Sequence, residues 1–480
     1  MQFNSYIYIM AFMPIFVISY LLLSRIKPWL GKVALVIAGA IFYIYGGWNI
    51  AAILGASIVV NFIMSVFIMK LPYKKLLLGI TVTINVFALL YFKYLNFFII
   101  NINTLTGREI PLKELILPLG ISFFTFQQIM YVVSVYNKSI KLNLLDYLAY
   151  ILYFPKLLMG PLNDPNGFIE QLNDDDIKAV NWGNIANGLK TFSLGLFKKL
   201  VLADTFAIAV NWAYANIDAA TSMDWLLAML FYTFEIYFDF SGYTDMAVGV
   251  SHMINIKLPI NFDSPYKALS IRDFWKRWHI SLTTFFTKYI YIPLGGSKKG
   301  KVRTYINTMI VFLISGIWHG ANWTFIQWGL WHGAFSVFDR ITEKHRSKVN
   351  VVVQWAATFT VVSALWLLFR SESIEQWHII LYKIITFQNM SISDGMVNAF
   401  VLPETSFIFT TLNLTAANEA VRGFSLLIFT LAGFGICLLP ENNYKKLNSN
   451  NWLMLFLSVI ALVWGILCLS SESVFVYFNF

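Results

Sequence analysis

Six histidines, all in the second half of the 480-residue chain, are the side chains best suited to proton chemistry: His252, His279, His319, His332, His345 and His378. An imidazole with an ordinary pKa near 6.5 takes up and returns a proton around neutral pH. His319 and His332 each stand in a Trp-His-Gly triplet within apolar sequence. An ionisable residue there is costly and marks a candidate functional site. His319 is read as functional. His332 is read either as functional or as a neutral ring bridging two helices. His279 follows Lys276 and Arg277, which fits an interfacial side chain as well as a working one. His345 lies among loop charges, His378 lies in the amphipathic piece EQWHIILYK, and His252 near a helix end has no evident partner.

Two acids add a second candidate. Glu235 and Asp239 are four residues apart on one face of an apolar helix, and Asp245 follows. Such a pair can relay protons or bind cations, or a neighbouring Arg or Lys can neutralise it as a structural lock; the lock is the preferred reading. The chain has no HExxH, Walker A, GxSxG or dense histidine box, so neither a bound metal nor a bound cofactor is expected. Cys437 and Cys468 both lie in apolar runs. An imidazole with no nucleophile beside it suits direct acyl transfer. It takes the proton of an acceptor hydroxyl as the oxygen attacks a thioester.

The elements holding these residues are those of a membrane protein. Apolar residues make up 58% of the chain and charged ones 12%, with 43 Phe, 24 Tyr and 16 Trp. Soluble domains carry about a quarter charged residues, so a soluble enzyme, a disordered chain and a fibre are all excluded. A crossing takes about 20 apolar residues, and the pattern leaves room for roughly ten to twelve. The expected fold is an all-α polytopic membrane protein. The net charge of +10 fits basic loops on the cytoplasmic side of a membrane better than nucleic acid, and no nucleic-acid partner is expected.

Loop charge sets the expected path. The opening MQFNSY lacks the basic region of a cleaved signal peptide, so residues 7–23 are expected to remain as a helix with the N-terminus outside. Basic loops at Arg25, Lys27 and Lys32, at Lys70, Lys74 and Lys75, and at Lys138 and Lys141 alternate with turns at 46–49 and 101–114. Residues 148–162, broken by Pro155 and Pro161, dip in. The acidic stretch at Asp174, Asp175 and Asp176 is a solvated loop. Residues 271–294, mixed basic and aromatic, suit one helix lying at the interface with its rings in lipid. Lys298 to Arg303 and residues 339–348 both read as inside, so residues 304–338 must go in and return. Thr304 to Gly316 is about 20 Å of helix, short of a hydrocarbon layer of about 30 Å. The link His319-Gly320-Ala321-Asn322 is then expected mid-membrane, where irregular backbone needs protein or a watery cavity around it. Residues 351–369 go out, 371–422 form a long outer segment, 423–439 return to Lys445 and Lys446, and 452–469 go out again. Both termini are expected outside. The divisions expected are 1–114, N-terminal helices; 115–350, catalytic core; and 351–480, C-terminal helices.

Blocks along the chain resemble the membrane-bound O-acyltransferase (MBOAT) family. They are LPLGISFFTFQQIMYVVSVY (117–136), FPKLLMGPL (154–162), YFDFSGYTDMAVG (237–249), NFDSPY (261–266), IRDFWKRWHISLT, YIYIPLGG (289–296), RTYIN, LISGIWHGANWTFIQWGLWHG and the terminal FVYFNF. SGYTDMAVG with IPLGG is similar to the bacterial alginate O-acetyltransferase branch. The resemblance implies an MBOAT-type helical bundle with re-entrant and interfacial helices, pierced from both faces of a bacterial cell membrane. The family's catalytic histidine would fall on His319 and a second on His279, with Asp239, Tyr243, Trp318 and His332 as candidate substrate-binding residues. The reaction implied moves an acyl group, acetyl in this branch, from a cytoplasmic thioester donor (acetyl-CoA or an acyl carrier protein) outward. There an extracytoplasmic SGNH-type partner completes O-acylation of a cell-envelope polysaccharide. The chain departs from relatives at Ser134 and Asn137, and at Thr287-Lys288. Three rivals stand beside this: D-alanyl transfer from a carrier protein to teichoic acid, a proton-coupled transporter using Glu235 and Asp239, and a scaffold. The absence of an internal repeat weighs against a transporter.

Overall fold

The computed structural model describes residues 1–174, 179–402, 406–407, 410–412, 415–439, 451–470 and 475. Asp175, Asp176, Lys445, Lys446 and all of the terminal FVYFNF except Phe475 lie outside the described residues. Every regular element among the described residues is helical. In lipid each backbone polar group must be paired within its own segment, which helices do. Among the described residues, four helices are long and apolar enough to cross a membrane: Tyr8–Ile26, Trp48–Lys70, Lys74–Thr106 and Val351–Arg370. Shorter apolar helices include Pro28–Ile44, Ile121–Tyr136 and Trp452–Leu467. Ser222–Met253 has 32 residues, ample for a crossing, but carries Asp224, Glu235, Asp239 and Asp245. The protein is a polytopic membrane protein.

The chain forms two compact units. The first comprises Met1–Gly195, Tyr243–Pro259 and Asn450–Ile460. Its helices are joined by side-chain amides and by an ion pair between Lys32 and Asp146. Asn61 and Asn85 exchange hydrogen bonds at 3.2 and 2.7 Å, and Tyr147 donates to Gln128 at 2.7 Å. Polar pairs of this kind hold helices together where lipid removes the hydrophobic drive. Residues 144–162 break twice, into Leu144–Ile151 and Phe154–Leu157, in keeping with the prolines there.

The second unit comprises Leu196–Gly242, Ile260–Ser449 and Ala461–Phe480. Its centre is a helical hairpin, Lys301–His319 and Trp323–Arg346. These arms are longer than the sequence led us to expect, 19 and 24 residues, or about 28 and 36 Å. The first helix starts within the basic loop and runs on to His319, which closes its last turn rather than sitting in the link. The arms touch backbone to backbone at Gly316 and Gly329. A Cβ on Gly316 would lie 2.4 Å from the Phe325 carbonyl oxygen, and one on Gly329 2.4 Å from that of Phe312.

Residues 271–294 correct the expectation of one interfacial helix. They fold as Ile271–Arg277, Ile280–Phe286 and a π turn Thr287–Tyr291. The rings of Phe274, Trp275, Trp278, Phe285 and Phe286 are buried in protein, not lipid. Trp278 packs on Trp366 at 5.0 Å and Trp275 on Trp328 at 5.6 Å. The outer segment differs too: it holds the helices Ile374–Thr386 and Asp394–Asn398, and the next helix starts at Thr415, before Gly423.

Candidate active site

His319 ends its helix in an aromatic cage and is 5% exposed. Its ring meets Trp318 at 4.8 Å, Trp328 at 5.0 Å and Phe369 at 5.1 Å, each edge to face. Gly320 follows because no other residue fits: a Cβ there would lie 2.2 Å from the Phe325 ring. Asn322 then caps the return helix, its side chain accepting from the Thr324 amide at 3.0 Å.

His279 sits at the break between Ile271–Arg277 and Ile280–Phe286, with φ 45° and ψ 51°. A non-glycine residue held there costs on the order of 1–3 kcal/mol and persists only where its surroundings enforce it. Asn261 enforces it. Its carbonyl accepts from the Ile280 amide at 3.0 Å, and its Oδ1 accepts from the Ser281 amide and hydroxyl at 3.2 and 2.8 Å. The same Oδ1 is 3.2 Å from His279 Nδ1. An oxygen that already accepts twice makes Nδ1 the protonated nitrogen, so the lone pair lies on Nε2. Nε2 is buried and has no protein partner among the described residues. Trp318 stands 6.4 Å from the His279 ring and 4.8 Å from that of His319.

His332 bridges two helices. The Trp275 indole N–H donates to His332 Nδ1 at 3.1 Å, which fixes the ring proton on Nε2. Trp328 lies between His332 and His319, 4.6 Å from one ring and 5.0 Å from the other.

Two cavities of opposite character flank this cage. One, of about 260 Å³, is mainly apolar, with Trp275, Phe286, Val311 and Phe312 among its walls and Arg272, Lys276 and Arg340 as its cations. The other, of about 470 Å³, is charged: Lys199, Asp204, Glu235, Asp239 and Arg370 line it, and it ends against Gly320, Phe325 and Phe369. In it Lys199 Nζ bridges Asp239 at 2.7 Å and Asp204 at 2.8 Å. Asp239 is thus held as a lock, the reading preferred from sequence. Glu235 is 5% exposed, and its Oε2 is buried with no hydrogen-bond partner among the described residues. Arg370 donates to Asn211 at 3.1 Å and lies over the Tyr214 ring.

The structure therefore brings His319, His279, His332, Trp318 and Asp239 into one unit. Tyr243 belongs to the other, where it stacks on Phe3 at 4.8 Å. His345 and His378 are exposed, and His252 is buried in the first unit. Sequence reasoning missed Asn261, Lys199, Arg370, Phe369 and Trp328. For Lys199 the signal was a lysine inside an apolar run, and for Asn261 the polar start of NFDSPY.

The chain is similar to known proteins. The model of the MBOAT, membrane-bound O-acyltransferase family, matches residues 67–369. A peptidoglycan O-acetyltransferase of Helicobacter pylori is 36% identical, covering 100% of this chain and 97% of its own length. A probable alginate O-acetylase of Pseudomonas syringae is 37% identical over 78% of this chain and 73% of its own. A teichoic acid D-alanyltransferase of Bacillus subtilis is 31% identical over 44% of this chain and 55% of its own. The family match spans both Trp-His-Gly triplets and the Asn261 clamp, and with whole-length identity to the first relative it makes this chain an acyltransferase of the membrane-bound O-acyltransferase family.

Proposed function

We propose that the protein is an O-acyltransferase whose general base is His319, moving an acetyl group from a thioester to a hydroxyl bound for a cell-envelope polysaccharide. The observation that carries the reading is the position of His319, caged between an apolar cavity with cationic residues and a charged one. The apolar cavity suits a thioester arm. Arg272, Lys276 and Arg340 suit the phosphates of acetyl-CoA or of a carrier protein's prosthetic arm. In the reaction the hydroxyl oxygen attacks the thioester carbonyl carbon as the imidazole takes its proton. The C–S bond then breaks and the proton passes to sulfur, so base catalysis is needed but no net proton is consumed. His279, with its lone pair on Nε2, assists donor placement or proton handling.

Acetyl is favoured because the two relatives matched over most of this chain are both named for O-acetylation, whereas the D-alanyltransferase matches under half of it. The charged cavity leads the product to an extracytoplasmic SGNH-type partner, with both termini outside a bacterial cell membrane. Purified protein in detergent, given acetyl-CoA and a hydroxyl acceptor, tests the assignment. His319→Ala should lower transfer by at least about 100-fold with the fold intact, and near-normal transfer refutes it. D-alanyl transfer would show instead as turnover with a D-alanyl carrier protein and none with acetyl-CoA.

A further inference from the structure

We propose that Phe369, backed by Phe325, is a partition that keeps water of the charged cavity off the His319 imidazole. It thereby decides whether a thioester is passed to an acceptor hydroxyl or lost to hydrolysis. The inference rests on the reading of His319 as the base.

A cavity of about 470 Å³ lined by six charged residues is both polar and roomy enough to hold water. Part of its wall is apolar. Phe369, 1% exposed, lines it and meets the His319 ring at 5.1 Å with the planes at 79°. Phe325 lines it too and packs edge to face on Phe369 at 4.8 Å. Gly320 lets the Phe325 ring lie against the turn after His319, where any Cβ would meet it. Trp328 supports Phe369 from the imidazole side at 5.3 Å. His319 itself is not among the residues lining that cavity, so Phe369 stands between the base and the polar space.

The chemistry makes such a partition necessary. Water is as competent as any alcohol: its oxygen attacks the carbonyl carbon, His319 takes its proton, the C–S bond breaks and the proton passes to sulfur. The products are a carboxylic acid and a thiol. A hydrogen-bonding site cannot reject a molecule smaller than its acceptor, whereas a dry wall can. A phenyl ring offers no polar atom to water and turns aside when an acceptor fills the cavity.

The test uses the full chain in detergent with acetyl-CoA and no acceptor, reading release of free thiol. In parallel, modification of His319 by diethyl pyrocarbonate is read by peptide mass spectrometry. Phe369→Ala should raise thiol release at least about tenfold and speed His319 modification likewise. Phe369→Leu, which keeps apolar bulk and the fold, should fall between Phe369→Ala and the parent. Phe369→Ala combined with His319→Ala should return thiol release to the parental background. Unchanged His319 modification in Phe369→Ala and Phe369→Leu overturns the partition, as does thiol release that persists without His319. If His319→Ala alone left transfer intact, the general-base reading would fall, while the modification rates would still decide whether Phe369 shields the ring.

Discussion

The bridge from Lys199 to Asp239 and Asp204 sets an order of stabilities that can be calculated before it is measured. Lys199 and Asp239 side chains are 2% and 1% exposed, Asp204 24%. Removing one partner of a buried pair costs about 3–5 kcal/mol, because the survivor is left charged and without its counter-ion. Lys199→Met strands two carboxylates in a cavity that also holds Glu235, and should reach about 5 kcal/mol. Asp239→Asn leaves Lys199 its bond to Asp204 and should cost about 3 kcal/mol. Asp204→Asn removes the solvated member and should cost about 1 kcal/mol or less. Lys199→Met with Asp239→Leu removes both buried charges and should recover most of the loss. The assay is unfolding in detergent followed by tryptophan fluorescence, with acyl transfer measured per folded molecule. Asp239→Asn as stable as the parent but inactive would refute the lock and make Asp239 a working residue. So would a charge-free double variant no more stable than Lys199→Met.

Other consequences are simpler to state. Asn261→Ala releases the left-handed turn at His279 and should cost about 1–3 kcal/mol, seen as a lower unfolding midpoint together with slower transfer. Gly329→Ala puts a methyl group 2.4 Å from the Phe312 carbonyl oxygen; splaying the hairpin should cost about 1–3 kcal/mol and slow turnover measured at saturating donor. Lys276→Glu with Arg340→Glu should raise the KM for acetyl-CoA and flatten its dependence on salt, while transfer from a thioester lacking phosphate changes little.

Much of this architecture was legible in the residues. The Trp-His-Gly triplets marked His319, and the spacing of Glu235 and Asp239 marked a charged helix face. The stretch 271–294 misled because its basic and aromatic pattern reports only that rings shun water; lipid tails and a protein interior satisfy them equally. His279 illustrates the same limit: its burial depends on Asn261, 18 residues earlier, which no local pattern shows. Phe369 and Trp328 were invisible for another reason. In a chain with 43 Phe and 16 Trp, one more ring carries no contrast until its neighbours are seen. The hairpin arms were read too short because basic residues at 298–303 were taken as the loop's end, whereas Lys301 and Arg303 already lie in the first turn of the helix.

The wide turn Lys198–Ala203 bears on how this protein can vary. In a regular α-helix, residues five apart point about 140° away from one another. The π turn takes an additional residue into one coil, and so lets Lys199 reach Asp204 along its own chain. Such a coil is equivalent to a one-residue insertion retained within the helix. Were the coil to relax to regular pitch with all its residues kept, Asp204 would swing to about 140° from Lys199 and away from the ammonium. Excising Leu200 instead leaves the two four apart, about 40° from one another on a regular helix, and the pair persists. At this point the chain tolerates a change of length as readily as one of lettering: an exchange of Leu200 for another apolar residue and its outright loss would both leave this ion pair in place.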